Sequence, residues 1–198
     1  MAHATTISAG VLIGGKSRRM GRAKQALSVG GASMLAHIVR VIQPHVDRII
    51  LLGDGAPPDD APPLLRLADA PDAEGPIAGI LAALRLTATD TAWLIAACDM
   101  PRITPDAVAW LLDQRAEDLA AILPKPAGDR IEPLFAVYEP AARPLIEQIV
   151  SAGRFAPHAL AEFAEVATPT PPSELAPCWR GVNTPEEFDQ LTGNPATR

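Results

Sequence analysis

The chain reads as an α/β protein built on a mostly parallel sheet, and three observations predict that class. Short apolar runs alternate with amphipathic helical stripes along nearly the whole length. The first run, 7–13, stops at Gly14-Gly15 and opens into a loop carrying Lys16, Arg18, Arg19, Arg22 and Lys24 with no acidic residue among them. Asp69 and Asp99 follow later apolar runs, so with Gly14-Gly15 they fall at the carboxyl edge of such a sheet, where ligands of open α/β folds sit.

The elements follow in order. Apolar runs at 7–13, 49–52, 93–97, 120–123 and 134–137 read as buried strands, with a weaker candidate at 64–67. Leu35, Ile38, Val39 and Ile42 form the stripe of an amphipathic helix, with Ser33 placed to cap it. Ile77, Ile80, Leu81 and Leu84 repeat that stripe after Gly75-Pro76. Thr104-Pro105-Asp106 opens a third helix, because proline is tolerated where the first-turn N–H lacks a partner anyway. A fourth helix is expected over 141–152, and Thr184-Pro185-Glu186-Glu187 has the form of a capping box for a last one. The proline-rich stretches 56–63 and 168–177 read as surface loops.

With 198 residues, no internal repeat and no evident boundary, a single domain over 1–198 is expected. A net charge of -6 argues against broad binding to nucleic acid or a membrane surface, both of which favour a basic face. Only Cys98 and Cys178 are present, and the chain carries neither a basic leader nor a membrane-length apolar run, so a reducing, cytoplasmic setting is the default.

Against that acidic background, five cations in one glycine-flanked loop call for a polyanion, and phosphate is the simplest. Asp99 is the better placed carboxylate for Mg²⁺, which prefers hard oxygen ligands shared with substrate phosphates. Taken singly, each feature has a structural explanation: a tight turn, a solvated loop, a strand terminator. Their joint placement is what points to a nucleotide–metal site. Gly10, four residues, then Gly15-Lys16-Ser17 satisfies a Walker A pattern, but Val11-Leu12-Ile13 are strand-like and Gly21 interrupts any helix from Lys16. Cys98 reads as a packed thiol, and no histidine has metal-ligand spacing.

Five segments in series resemble the molybdenum cofactor guanylyltransferases of the small nucleotidyltransferase superfamily. They are Leu12-x-Gly-Gly-x-Ser-x-Arg-Met-Gly-x-x-Lys24, the Gly75-Pro76 element, Cys98-Asp99-Met100-Pro101, the 133–138 strand and 182–187. The resemblance implies a three-layer α/β/α Rossmann-like nucleotidyltransferase fold and transfer of GMP from GTP to the phosphate of molybdopterin, with Mg²⁺. It would place Leu12, Ile13, Gly14, Gly15, Lys24, Asp69 and Asp99 on the nucleotide, Asp99 on the metal and Asn183 towards the pterin. Arg19 and Lys24 would neutralise the departing phosphates. Transient contact with molybdoenzymes or their chaperones is compatible with that role.

Two positions depart from the family pattern: Ile13 where alanine is usual, making that turn bulkier, and Leu52-Gly53-Asp54 where an asparagine often stands. Gly14 tilts the expectation towards guanine, since cytidylyl relatives tend to carry alanine there. Cytidylyl transfer to molybdopterin, nucleotidyl transfer to a sugar phosphate, and a non-catalytic GTP-binding module remain as alternatives.

Overall fold

The computed structural model describes residues 6–14, 26–29, 31–86, 90–182, 184 and 187–188. Seven strands form one sheet in the order β5-β4-β1-β6-β8-β7-β9. These are β1 Thr6–Leu12, β4 Arg48–Leu52, β5 Leu65–Leu67, β6 Thr91–Ala97, β7 Ala121–Ile122, β8 Phe135–Tyr138 and β9 Val166–Ala167. A separate small hairpin pairs β2 Ser28–Val29 with β3 Ala32–Ser33. The β1–β4, β1–β6, β4–β5 and β7–β9 pairs are parallel, whereas β8 runs antiparallel to both β6 and β7. The mostly parallel expectation therefore holds with one reversed strand. No helix lies between β7 and β8, so the chain returns directly and must reverse direction.

Strand alternation sorts the core into two layers. On one face Ala9, Val11, Ile49, Leu51, Leu94 and Ala96 pack with α1 (Met34–Ile42) and α3 (Pro105–Asp113). On the other, Ile50, Leu52, Trp93 and Ile95 pack with α2 (Pro76–Leu86) and α4 (Ala142–Ser151). Every residue of β6 is buried, as expected of a central strand covered on both faces.

The caps form as the residue types dictate. Ser33 Oγ accepts the Ala36 N–H at 3.1 Å, and Thr104 Oγ1 accepts the Ala107 N–H at 3.3 Å. At the far end, Thr184 Oγ1 accepts the Glu187 N–H at 3.2 Å, the first half of the expected capping box. Gly10 is a packing glycine in the middle of β1. A Cβ there would lie 2.5 Å from Leu52 Cδ1, which removes it from any phosphate loop and disposes of the Walker A match.

Candidate functional site

The carboxyl ends of β5, β4, β1 and β6 and the start of β8 share one edge of the sheet, and the candidate residues are distributed along it. The end of β1 is held from both sides. The Ile13 N–H donates to the Leu52 carbonyl at 2.9 Å, and the Cys98 N–H donates to the Leu12 carbonyl at 3.1 Å. The chain then leaves the sheet at the exposed Gly14.

Ile13 differs from expectation. Its side chain is 1% exposed and belongs to the core on the α1 face, so its bulk does not lie on the ligand side of the turn. Only its backbone can face a ligand.

Beside Gly14, Gly53 adopts φ +101°, a conformation open to glycine, and its N–H donates to the Leu67 carbonyl at 2.9 Å. A Cβ on Gly53 would sit 3.3 Å from the Gly14 nitrogen, so two glycine backbones pass close together. Asp54 follows, with Oδ1 3.8 Å from where a Gly14 Cβ would be. Asp69 lies past the end of β5. Its Oδ1 is 3.8 Å from the corresponding position on Gly53 and 3.3 Å from that on Gly79 of α2. Partial burial, and then the neighbouring Asp54 charge, push the Asp69 carboxyl above its ordinary range. This wall is built of glycine backbone and two carboxylates. It suits N–H and O–H donors better than phosphates.

Asp99 lies past the end of β6 and is half-buried. Its carbonyl accepts the Val182 N–H at 2.8 Å, and a Cβ on Gly181 would meet Asp99 Oδ1 at 3.4 Å. The C-terminal segment thus passes directly over this aspartate. Trp179 anchors that segment: its indole N–H donates to the Phe135 carbonyl at 2.8 Å, and its ring packs on Phe135 and edge-on to Trp110.

Glu132, a residue sequence reasoning passed over, joins Asp99 at the edge. The β6–β8 register runs from Trp93↔Tyr138 to Ala96↔Phe135, and the Ala97 N–H donates to the Leu134 carbonyl at 2.7 Å. Continued outward, it brings Glu132 to the level of Asp99. Glu132 is 6% exposed. Its Oε1 accepts the Leu134 N–H at 3.2 Å, and its Oε2 accepts from Arg130 Nη2 at 3.1 Å. Burial pushes its carboxyl up and the Asp99 charge adds to this, against the Leu134 N–H and Arg130, which hold it down.

Leu12, Ile13, Gly14, Asp69 and Asp99 therefore come together on one edge. Gly15, Arg19, Lys24 and Asn183 lie outside the described residues. Asp54, Gly53, Gly181, Glu132 and Arg130 were not singled out as site residues. Close backbone approach and strand register bring them there, and neither leaves a residue-type signal. Both cysteines are buried and neither is in a disulfide, as packed thiols should be. No helix among the described residues is long and apolar enough to cross a membrane.

A family model, the MobA-like NTP transferase domain, matches residues 9–166. The chain belongs to that family. Among its relatives, a "Molybdenum cofactor guanylyltransferase" of Syntrophotalea carbinolica is 31% identical over 92% of this chain and 89% of its own length. One of the same name from Rhizobium meliloti is 32% identical over 96% and 92%. The structure of a molybdopterin-guanine dinucleotide biosynthesis protein A from Archaeoglobus fulgidus superposes with a TM-score of 0.74 at 23% identity, covering 94% of this chain and 97% of that one, which confirms the fold. This MobA-like chain is a nucleotidyltransferase with the three-layer α/β/α architecture.

Proposed function

We propose that this nucleotidyltransferase moves GMP from GTP to the terminal phosphate of molybdopterin, releasing pyrophosphate, and that it works as a single cytoplasmic domain. The observation that supports the reading is the arrangement along one edge: Gly14 at the end of β1, which the cationic residues follow in sequence, has Asp54 and Asp69 on one side and Asp99 on the other. The names of the relatives supply the substrates.

Asp54 and Asp69 accept N–H and O–H donors of the nucleoside, leaving the phosphates to the loop that begins at Gly14. Gly15, Lys24 and Arg19 bind the β- and γ-phosphates there, lysine as a point charge and arginine as a fork. An oxygen of the acceptor phosphate attacks the α-phosphorus in line. One P–O bond forms as the bond to the α,β-bridging oxygen breaks, and pyrophosphate leaves with the electron pair. No covalent enzyme intermediate is needed, so the protein's work is positioning and charge neutralisation.

Asp99 fits Mg²⁺: it is a half-buried hard-oxygen donor, and this ion is commonly held by one or two carboxylates together with substrate phosphates. When bound, it would offset the charge building on the phosphate oxygens. Asn183 follows Val182, whose N–H is tied to the Asp99 loop, a position that supports a role on the acceptor side.

The test is to incubate the protein with molybdopterin, Mg²⁺ and either GTP or CTP, following pyrophosphate release. Pyrophosphate from GTP, with CTP at least tenfold poorer, is expected. Preference for CTP, release of inorganic phosphate instead, or GTP binding without turnover would each reject the proposal.

A further inference from the structure

Both ends of β8 carry an arginine–glutamate pair, and the two pairs are built differently. Arg115 with Glu139 lies beyond the Tyr138 end and is closed: the side chains are 13% and 6% exposed, and Nε and Nη2 both donate to the carboxylate. Such a pair locks structure. Arg130 with Glu132 lies at the Phe135 end, on the ligand edge, and is open. The glutamate side chain is 8% exposed and the arginine 63%. Among the described residues, Arg130 gives Glu132 a single Nη2 contact, leaving Nε and Nη1 uncommitted.

A buried carboxylate is costly to desolvate, and this one holds a largely exposed cation at a defined place. That place matters in the reaction. Along the edge the order is Gly14 at β1, Asp99 at β6, then Glu132 and Arg130 before β8. The cationic residues follow Gly14 of the β1 end in sequence, whereas Arg130, before β8, stands on the other side of Asp99. In-line transfer needs charge neutralised on two opposite sides of the α-phosphorus, because the attacking group is itself an anion. The loop cations serve the departing pyrophosphate; the entering phosphate needs a cation of its own.

We infer that Arg130 binds the terminal phosphate of the acceptor, and that Glu132 is the positioning residue that aims its guanidinium. The assignment rests on the proposed transfer to a phosphorylated pterin, and it deepens that reading by placing the acceptor's phosphate. With one Nη2 hydrogen given to Glu132, the second Nη2 hydrogen still shares an edge of the guanidinium with Nε–H or Nη1–H, and among the described residues that edge is available for a two-pronged phosphate contact, which lysine cannot reproduce.

The experiment compares wild type, Arg130→Gln, Arg130→Lys and Glu132→Gln. It follows molybdopterin binding by pterin fluorescence without GTP, together with KM for each substrate. For Arg130→Gln, a roughly tenfold or greater rise in molybdopterin Kd and KM is expected, with KM for GTP within about twofold and the variant still folded under assay conditions. Arg130→Lys should recover part of the loss, and Glu132→Gln should show a smaller rise in the same constant. A dephosphorylated pterin should bind wild type and Arg130→Gln equally. Unchanged molybdopterin affinity in Arg130→Gln, or an equal rise in KM for GTP, overturns the assignment. Wild type that binds molybdopterin but transfers nothing from GTP overturns the proposed function instead.

Discussion

The two sides of the ligand edge are built on opposite plans. On the β4–β5 side, Gly14, Gly53 and Gly79 bring backbone and two aspartates close together, and space is defined by missing side chains. On the β6–β8 side, Asp99, Glu132 and Arg130 define the surface by charge, braced by Gly181, Val182 and Trp179. The first wall should fail when atoms are added and the second when charges are removed. On the proposed function, shape would select the nucleoside and charge would manage the phosphates.

The largest test of that contrast is Asp99→Ala. The Val182 N–H is bonded to the Asp99 backbone carbonyl, so the fold should survive while transfer falls roughly ten- to over a hundredfold. Steady-state pyrophosphate release alongside thermal unfolding checks this, and wild-type rates would remove Asp99 from the mechanism. Lys24→Ala should lose activity on the same scale through KM for GTP and kcat, with no change in unfolding.

Gly53→Ala attacks the other wall. Its φ of +101° is strained for any side chain and the 3.3 Å approach to the Gly14 nitrogen crowds a methyl group, so about 1–3 kcal/mol of stability should go, with weaker GTP binding. Denaturant unfolding measures the first and GTP titration the second. Strained backbone without any loss of GTP affinity would dissolve the distinction between the walls.

Trp179→Phe should cost about 1–3 kcal/mol by orphaning the buried Phe135 carbonyl. Activity should drop more than stability suggests, because the segment over Asp99 loosens.

The smallest effect concerns pH. Burial raises the Glu132 carboxyl in the fold above its ordinary 4.5, so the folded state binds that proton more tightly than the unfolded chain. Stability from this group is full below 4.5 and declines as pH rises through the higher folded value. Relative to Glu132→Gln, the wild type should lose stability on going from acid towards neutral, seen in unfolding curves taken in pH steps. An opposite slope would mean that Arg130 outweighs burial.

What could be read from the chain follows the same division. Ser33 and Thr104 cap the helices that their residue types announce, and β1, β4, β5 and β6 coincide with apolar runs, because periodicity and capping are local. The reversal of β8 was less visible, since apolar content carries no strand direction. Ile13 looked like a bulky intrusion on the cleft because sequence does not say which side of a strand end faces the core. Asp69 and Asp99 were legible from their place after strand-like runs. Glu132 was not: among Asp129, Arg130, Ile131 and Pro133 it resembles ordinary loop charge, and only pairing with β6 carries it to the edge.

The docking of Trp179 has a consequence for how the enzyme matures. Asp99 acquires its covering neighbours, Gly181 and Val182, from a stretch that follows the described sheet strands in the chain. The described sheet strands all precede that stretch, so a growing chain can assemble its scaffold while Asp99 is still uncovered. On the proposed function, copies cut before this stretch would be folded bystanders, occupying space without consuming nucleotide.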